Sequence, residues 1–188
     1  SKDFETKPGK SLALYQAPGI AARRLLLVGA GSGDARAVRQ ALAAIAPAFR
    51  TAGAKRAVVC FAGRVTAPAV SAVVQGVAQA RYVYTLTKPK AEASELTRVV
   101  IGVPEPKAVA QAFETSQAVA LGVELAREWG NRPANHATPS MLADAARALA
   151  KHPRIQCKVM GPADVERLGM GAFLAVARGS AEPLRFIE

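Results

Sequence analysis

Hydrophobic positions in the first 106 residues alternate between short apolar runs and stripes of helical period. The runs predict strands, and the stripes, in which apolar residues recur every three or four positions, predict helices. The predicted strands cover residues 11–15, 24–28, 56–61 and 97–103, and the predicted helices cover residues 35–52 and 68–84. This alternation indicates an α/β domain. Strands that are apolar on both faces indicate a sheet covered by helices on both sides.

Two of the predicted helices, at residues 35–52 and 107–129, have residues with specific expected roles. In the first predicted helix the apolar stripe comprises Val38, Leu42, Ile45 and Phe49, and Gly53 is expected to end it. A polar loop is predicted at residues 88–95. A longer helix without an internal proline follows at residues 107–129 and spans about 35 Å, a length that suits a connection between domains. Its candidates for burial are Val109, Phe113, Ser116, Ala120, Val123, Leu125 and Trp129, and Gly130 is expected to end it.

Residues 131–188 read as a second, incomplete unit. Thr138 is predicted to cap a helix that begins at Pro139, because a threonine side chain accepts from free backbone amides and proline fits the first helical turn. The apolar stripe of that helix comprises Met141, Leu142, Ala145, Ala146 and Leu149. A short helix is predicted from Pro162 to a stop at Gly169, with strands at residues 155–160, 173–177 and 184–187. Because the last residues fall within an apparent strand, the unit is expected to continue beyond them.

The composition indicates a large hydrophobic core and a charge that is unevenly distributed along the chain. Hydrophobic residues make up 51% of the chain and its formal net charge is +11. Residues 1–106 carry 15 Lys or Arg against 6 Asp or Glu, whereas residues 107–188 carry 10 against 8. A basic first part fits either a polyanion partner such as DNA or a solvated surface balanced by an acidic partner chain. The charges are dispersed and aromatic residues make up only 5%, so the indication of nucleic-acid binding is weak.

Two classes are excluded by simple counts. No stretch approaches 18 uninterrupted apolar residues, so no membrane span is predicted. The two cysteines, Cys60 and Cys157, each lie in a strand-like run, which predicts buried, reduced thiols rather than a disulfide framework.

The glycine-rich turn at residues 29–34, "GAGSGD", is similar to a dinucleotide-binding turn but departs from it. The third glycine, Gly33, comes one position too early, and Asp34 would repel a phosphate at the start of the following helix. Asp34 instead suits the cap of that helix. The turn is therefore either a corner of the fold or, less well supported, a nucleotide site.

No catalytic or metal-binding constellation is visible in these residues. The only histidines are His136 and His152, and Asp144, Asp164 and Glu166 are scattered on predicted helix surfaces. Ser140 and Ser180 are the serines considered as nucleophiles, and neither has an evident histidine and acid partner. The remaining unusual segment is "GNRPANHATP" at residues 130–139. It is interpreted as a rigid elbow between domains, with direct substrate contact as the alternative.

The segment at residues 125–150 resembles the block that opens the catalytic domain of leucyl aminopeptidases of the bacterial peptidase A type. In that family a helix ending in Gly-Asn is followed by x-Pro-x-Asn, Thr-Pro and a second helix, as in "LAREWGNRPANHATPSMLADAARALA". The matching positions are Gly130, Asn131, Pro133, Asn135, Thr138 and Pro139. The later segment "LGMGAFLAVARGSAEPLRFI" is similar to the family's next block. Earlier, "KDFETKPGKSLALY" is similar to the start of its N-terminal domain, although Thr6 stands where glycine is usual. The resemblance covers essentially the whole chain.

The resemblance implies a fold and a domain plan. Residues 1–106 would form an N-terminal α/β domain of three layers, similar to macro domains, in which the glycine turn is a corner. Residues 107–130 would form the connecting helix, and residues 131–188 would begin an α/β metallopeptidase domain. A stand-alone macro-like ligand domain is disfavoured because the chain runs on into catalytic-domain sequence.

The resemblance also implies a function. The family consists of cytoplasmic, hexameric metalloproteases that hydrolyse peptides with a free N-terminus, prefer leucine-like residues and use two divalent ions, manganese or zinc. The family's metal and catalytic residues lie in motifs expected after Glu188, so no metal ligand, catalytic residue or cofactor-binding residue is assigned here. Residues 131–135 and 178–183 are assigned as scaffold only. Some bacterial members also bind DNA, which is kept as an alternative role for the basic first part.

Overall fold

The computed structural model describes residues 4–51, 53–91 and 93–188. The expected end of the first helix at Ala52, and the first residues of the segment that resembles an N-terminal domain, lie outside these ranges. Contacts divide the chain into two compact units, the first ending at Glu128 and the second beginning at Trp129. The elements of the first unit are β1 (Ser11–Tyr15), β2 (Arg24–Val28), α1 (Ala35–Thr51), β3 (Arg56–Cys60), α2 (Ala67–Arg81), β4 (Arg98–Gly102) and α3 (Pro106–Asn131), whose last three residues belong to the second unit.

The strands of the first unit form two pairs of opposite kind. β1 pairs with β2 in antiparallel register, with Ser11 opposite Val28. β3 pairs with β4 in parallel register, with Arg56 opposite Arg98, and α2 makes the crossover between them that a parallel pair requires. The expected α/β class is confirmed.

The core of the first unit lies between α1, α2 and one face of the parallel pair. The stripe expected on α1 is confirmed, since Val38 and Leu42 are buried and Ile45 and Phe49 pack against them. From α2, Ala69, Val73 and Val77 complete the cluster. Gly53 ends α1 with a φ of +58°, a conformation that glycine adopts without strain.

The other face of the parallel pair is open within the described residues. Ala57 and Val59 of β3 pack against the core, whereas Val58 is 67% exposed and Cys60 is also exposed. The expectation of a sheet covered on both faces is therefore wrong for β3, and so is that of a buried Cys60. Both helices contribute to one cluster on the same side of these strands, which leaves alternate side chains of β3 outside it.

Helix α3 is longer than expected and less buried. Gly130 lies inside the helix rather than ending it. Val109 and Ser116 are buried as expected, and the Ser116 hydroxyl donates to the Ala112 carbonyl at 2.6 Å. Val123 and Leu125 are exposed, contrary to expectation. Positions 123 and 125 point in directions about 200° apart on a helix, so one buried face cannot include both.

The second unit contains a 3₁₀ turn and shorter elements. They are the turn at Ala134–His136, α4 (Pro139–Leu149), β5 (Val159–Met160), α5 (Pro162–Arg167), α6 (Gly171–Ala177) and β6 (Phe186–Ile187). β5 and β6 pair in antiparallel register, and both are shorter than the strands expected there. Gly169 follows α5 with a φ of +68°, which confirms the expected stop.

Two sequence expectations fail in this unit. Residues 173–177 form helix α6 rather than a strand, because Met170, Leu174 and Ala177 recur at helical spacing and pack on a cluster of Met160, Val165 and Leu184. On α4 the fully buried residue is Ala143, whereas the expected stripe is partly exposed at Met141, Leu142 and Leu149. The most buried position of α4 is therefore a small residue and does not belong to the expected stripe.

None of the helices in the described ranges combines the length and the hydrophobicity that a bilayer-spanning helix needs.

Candidate functional site

The glycine-rich turn packs against the chain's own N-terminal segment. The Gly29 amide donates to the Lys10 carbonyl, and the Gly31 amide donates to the Thr6 carbonyl, both at 2.8 Å. A Cβ atom on Gly29 would collide with the Lys7 carbonyl oxygen and lie 2.7 Å from the Thr6 carbonyl carbon. Gly31 and Gly33 have φ values of +53° and +73°, which favour glycine. These contacts account for all three glycines without a bound phosphate, as expected for a corner.

Asp34 caps α1, as predicted. Its Oδ1 accepts from the backbone amides of Arg36 at 2.8 Å and Ala37 at 2.9 Å, and the Ser32 hydroxyl donates to Oδ2 at 2.7 Å. The Ala37 amide, followed by the Ser32 hydroxyl, lowers the pKa of Asp34 below its ordinary value of 3.8. A stabilised carboxylate at this helix start opposes the binding of a phosphate there.

The segment at residues 130–139 forms a compact turn held by local contacts. The Arg132 guanidinium lies 4.0 Å from the centroid of the Trp129 ring. The His136 amide donates to the Pro133 carbonyl at 2.8 Å, which closes the 3₁₀ turn. The Thr138 hydroxyl then accepts from the Met141 amide at 3.3 Å, so the predicted cap of α4 is confirmed.

The candidate metal ligands are not brought together. Asp144 pairs with Arg147 at 2.7 Å, and Asp164 pairs with Arg167 at 3.0 Å, each within its own helix. The Arg167 guanidinium, followed by the Gly161 amide, lowers the pKa of Asp164. No group of three or more His, Cys, Asp or Glu side chains that could hold a metal occurs in the described ranges. These residues therefore do not fit a pair of metal ions.

His152 and Ser180 each make local contacts. His152 accepts at Nδ1 from the Arg154 amide at 3.3 Å, a contact between residues two positions apart. Ser180 accepts at Oγ from the Glu182 amide at 3.1 Å and donates its own amide to Ala177, so it shapes a turn. A small open cavity of about 310 Å³ adjoins this turn and is lined by Leu174, Arg178 and Leu184, among other residues.

A larger groove, of about 720 Å³, lies in the first unit between α1, α2 and α3. The sequence patterns do not predict it. Its walls come from three helices, with lining residues that run from Arg39 to Arg127, and no local motif marks such a surface.

Comparison with known proteins gives two family matches in order along the chain. The model of the N-terminal domain of the cytosol aminopeptidase family matches residues 1–91. The model of the catalytic domain of the same family matches residues 124–188.

Individual relatives and structures agree with these matches. The chain is 59% identical to a probable cytosol aminopeptidase of Verminephrobacter eiseniae, over 99% of this chain and 36% of that protein. It is 54% identical to a probable cytosol aminopeptidase of Acidovorax sp. strain JS42, over 99% of this chain and 38% of that protein.

Among solved structures, the bottromycin maturation enzyme BotP has a TM-score of 0.77 at 32% identity, and the match covers 99% of this chain and 41% of the BotP chain. A structure of BotP in complex with Mn has a TM-score of 0.76 at 32% identity, and covers 99% of this chain and 40% of its own. The chain thus spans well under half the length of these proteins.

Proposed function

We propose, from the premise that the chain belongs to the cytosol aminopeptidase family, that the whole protein is a leucyl aminopeptidase. It would release N-terminal amino acids, leucine-like ones in preference, from peptides with a free N-terminus. The observation that carries the proposal is the match of both domains of one family, in order, together with 59% identity to a probable cytosol aminopeptidase across 99% of the chain.

The proposed cofactor is a pair of divalent ions, Mn²⁺ or Zn²⁺, which would polarise the scissile carbonyl and acidify a water molecule. Their ligands are proposed to lie in the part of the whole protein that these residues do not span. One observation supports the use of manganese, and a second supports the placement of the ligands. The structure of BotP in complex with Mn is similar to this chain. The carboxylates of Asp144 and Asp164 are paired with arginines on their own helices.

The proposed role of these residues is to carry the N-terminal domain and to begin the catalytic domain. Residues 1–106 would be the N-terminal domain, residues 107–130 the connecting helix and residues 131–188 the start of the catalytic domain. The unbroken helix Pro106–Asn131 supports the connector, and the local contacts that close the turn after it support a stiff elbow.

The activity is tested with the full-length protein, purified after metal removal and supplied with Mn²⁺. We expect it to release p-nitroaniline from leucine p-nitroanilide at alkaline pH. The same substrate with an acetylated N-terminus is the matched control and should not be cleaved, because an aminopeptidase needs the free amine. Metal-loaded protein that leaves leucyl substrates intact would refute the proposal.

A cytoplasmic homo-hexamer is proposed as the working form. The location is supported by the membership of a family described as cytosol aminopeptidases, and the hexamer is what the resemblance to that family implies. Light scattering coupled to size-exclusion chromatography of the full-length protein tests the assembly, and a mass of one or two subunits would contradict it.

A second candidate function is DNA binding through the first unit. The specific observation is the excess of Lys and Arg over Asp and Glu in residues 1–106, compared with near balance in the remainder. Binding to phosphates releases counterions, so affinity should fall steeply as salt rises. A gel-shift titration of the full-length protein at low salt checks this, and the absence of a shift would remove the candidate.

A further inference from the structure

We propose that the groove between α1, α2 and α3 binds an acidic, amphipathic peptide segment of a partner protein. The groove lies wholly within the first unit. Binding in the groove is measured without hydrolysis, so its test is separate from the test of the proposed aminopeptidase activity.

The groove exists because α3 stands apart from a tightly packed pair of helices. α1 and α2 approach closely at Gly76, where a Cβ atom would lie 2.7 Å from Cδ1 of Leu42. The residue after α2, Tyr82, donates its hydroxyl to the Glu128 carboxylate at 3.2 Å, and the Arg127 guanidinium lies 4.1 Å from the Tyr82 ring centroid. These contacts join the last turns of α3 to Tyr82, which lines the groove.

Much of the groove is lined by aliphatic side chains, with Gln40, Gln75 and Gln79 among its polar lining residues. Leu42, Ala43 and Ala46 of α1 line it from one side, and Val119 and Val123 of α3 line it from the other. Val119 is 44% exposed and Val123 is 49% exposed, so a partner can still bury apolar surface there. A volume of about 720 Å³ lies within the range of sites that bury ligand-sized groups.

The rim of the groove is basic and partly fixed in place. Arg39, Arg50 and Arg127 line it, against one carboxylate, Glu124. The Arg50 Nε donates to the Ala80 carbonyl at 2.8 Å, which holds its side chain at the groove. Arg127 is held over Tyr82. Guanidinium groups that are already positioned lose less entropy when they bind carboxylates, so the rim complements acidic side chains.

The floor favours a peptide over a nucleic acid. Single-stranded nucleic acids bind by stacking bases on aromatic side chains. The only aromatic residue in the lining is Tyr82, and Arg127 already covers its ring. A helix with leucines on one face and glutamates beside them would match both the aliphatic floor and the basic rim.

The test measures binding of a labelled peptide to the full-length protein by fluorescence anisotropy. The probe is an N-acetylated helical peptide with leucines at i, i+3, i+4 and i+7 and glutamates elsewhere, so it lacks the free amine of an aminopeptidase substrate. A peptide with lysines in place of the glutamates is the control probe. We expect the acidic peptide to bind, with affinity falling as salt rises, and the basic peptide not to bind.

Three variants locate the site. Arg39→Glu reverses a rim charge and should weaken binding about tenfold. Ala43→Trp places a ring in the groove from an exposed helix position and should abolish binding. Arg98→Glu makes the same charge change at an exposed position on β4 outside the lining, and should alter affinity by less than about twofold. Circular dichroism confirms that each variant is folded.

Two results would overturn the proposal. One is that the wild-type protein does not bind the acidic peptide, as happens if another part of the protein or a second copy fills the groove. The other is that binding weakens equally in Arg39→Glu and Arg98→Glu and persists in Ala43→Trp, which would assign it to diffuse charge.

Discussion

Gly29 lies where the end of β2 meets the backbone of residues 6–7, and no side chain fits between them. Its φ is not positive, so the requirement for glycine is one of space and not of backbone conformation. The sequence shows a glycine-rich turn but not what packs against it, because the contacting residues lie more than 20 positions earlier.

Gly29→Ala is expected to lower the free energy of unfolding by about 1–3 kcal/mol or more, since backbone must move to admit the methyl group. Gly63→Ala is the matched control. A Cβ there meets no atom within 4 Å, and the change should be within about 0.5 kcal/mol of zero or slightly stabilising. Urea unfolding followed by circular dichroism measures both. Equal effects would show that the close approach at Gly29 does not constrain the fold.

Asp34 gives a prediction for the dependence of stability on pH. Hydrogen bonds to the carboxylate lower its pKa in the folded state, so its contribution is fully present above the ordinary value of 3.8. That contribution is lost as the pH falls below 3.8 and through the folded-state pKa. Asp34→Asn keeps a capping oxygen but does not titrate. We therefore expect wild type to lose more stability than Asp34→Asn between pH 7 and pH 3.

The two proteins are compared by their urea midpoints at both pH values. If the midpoints fall in parallel, the Asp34 carboxylate does not couple protonation to folding.

At the scale of elements, local signals predict caps and stops, and the apolar runs at residues 11–15 and 24–28 predict strands that the structure confirms, whereas the run at residues 173–177 does not reveal its own element. The cap at Thr138 and the stop at Gly169 depend on contacts within a few residues, so sequence is enough to predict them. The run "FLAVA" has no polar residue to reveal its period, and it forms a helix where a strand was expected. Which side chains of α4 are buried depends on the element that packs against this helix, and the apolar stripe alone does not identify that element.

Two variants of α6 test this helix against the strand. In a helix Leu174 packs on the cluster of Met160, Val165 and Leu184, while Val176 is 87% exposed. In a strand the two side chains would share one face. Leu174→Ala should cost about 1–3 kcal/mol because it opens a cavity, and Val176→Ala should change stability by less than about 0.5 kcal/mol.

The single tryptophan, Trp129, belongs to the second unit and serves as the fluorescent probe of its unfolding. Similar losses for both variants would argue for the strand.

At the scale of the whole molecule, sequence revealed the family but not the surfaces. The motif around residues 130–139 and the block after it were enough for the assignment, because both are specific in order and spacing. The pairing of β3 with β4, the open face at Val58 and the groove beside α3 depend on contacts between elements that are far apart in the chain. The spacing of hydrophobic residues along the sequence does not show which of the two faces of a sheet the helices cover.

The last prediction concerns where the metal ions bind. In the described residues Asp34 caps α1, and Asp144 and Asp164 each pair with an arginine on their own helix. A two-metal site needs several convergent carboxylates, each held by its surroundings. We therefore expect calorimetric titration of the 188-residue chain with Mn²⁺ to show no tight binding, whereas full-length protein titrated in the same buffer should bind two ions. Two tightly bound Mn²⁺ ions per 188-residue chain would place the ligands among these residues. That result would contradict the proposal that these residues are scaffold and that the metal ligands lie in another part of the whole protein.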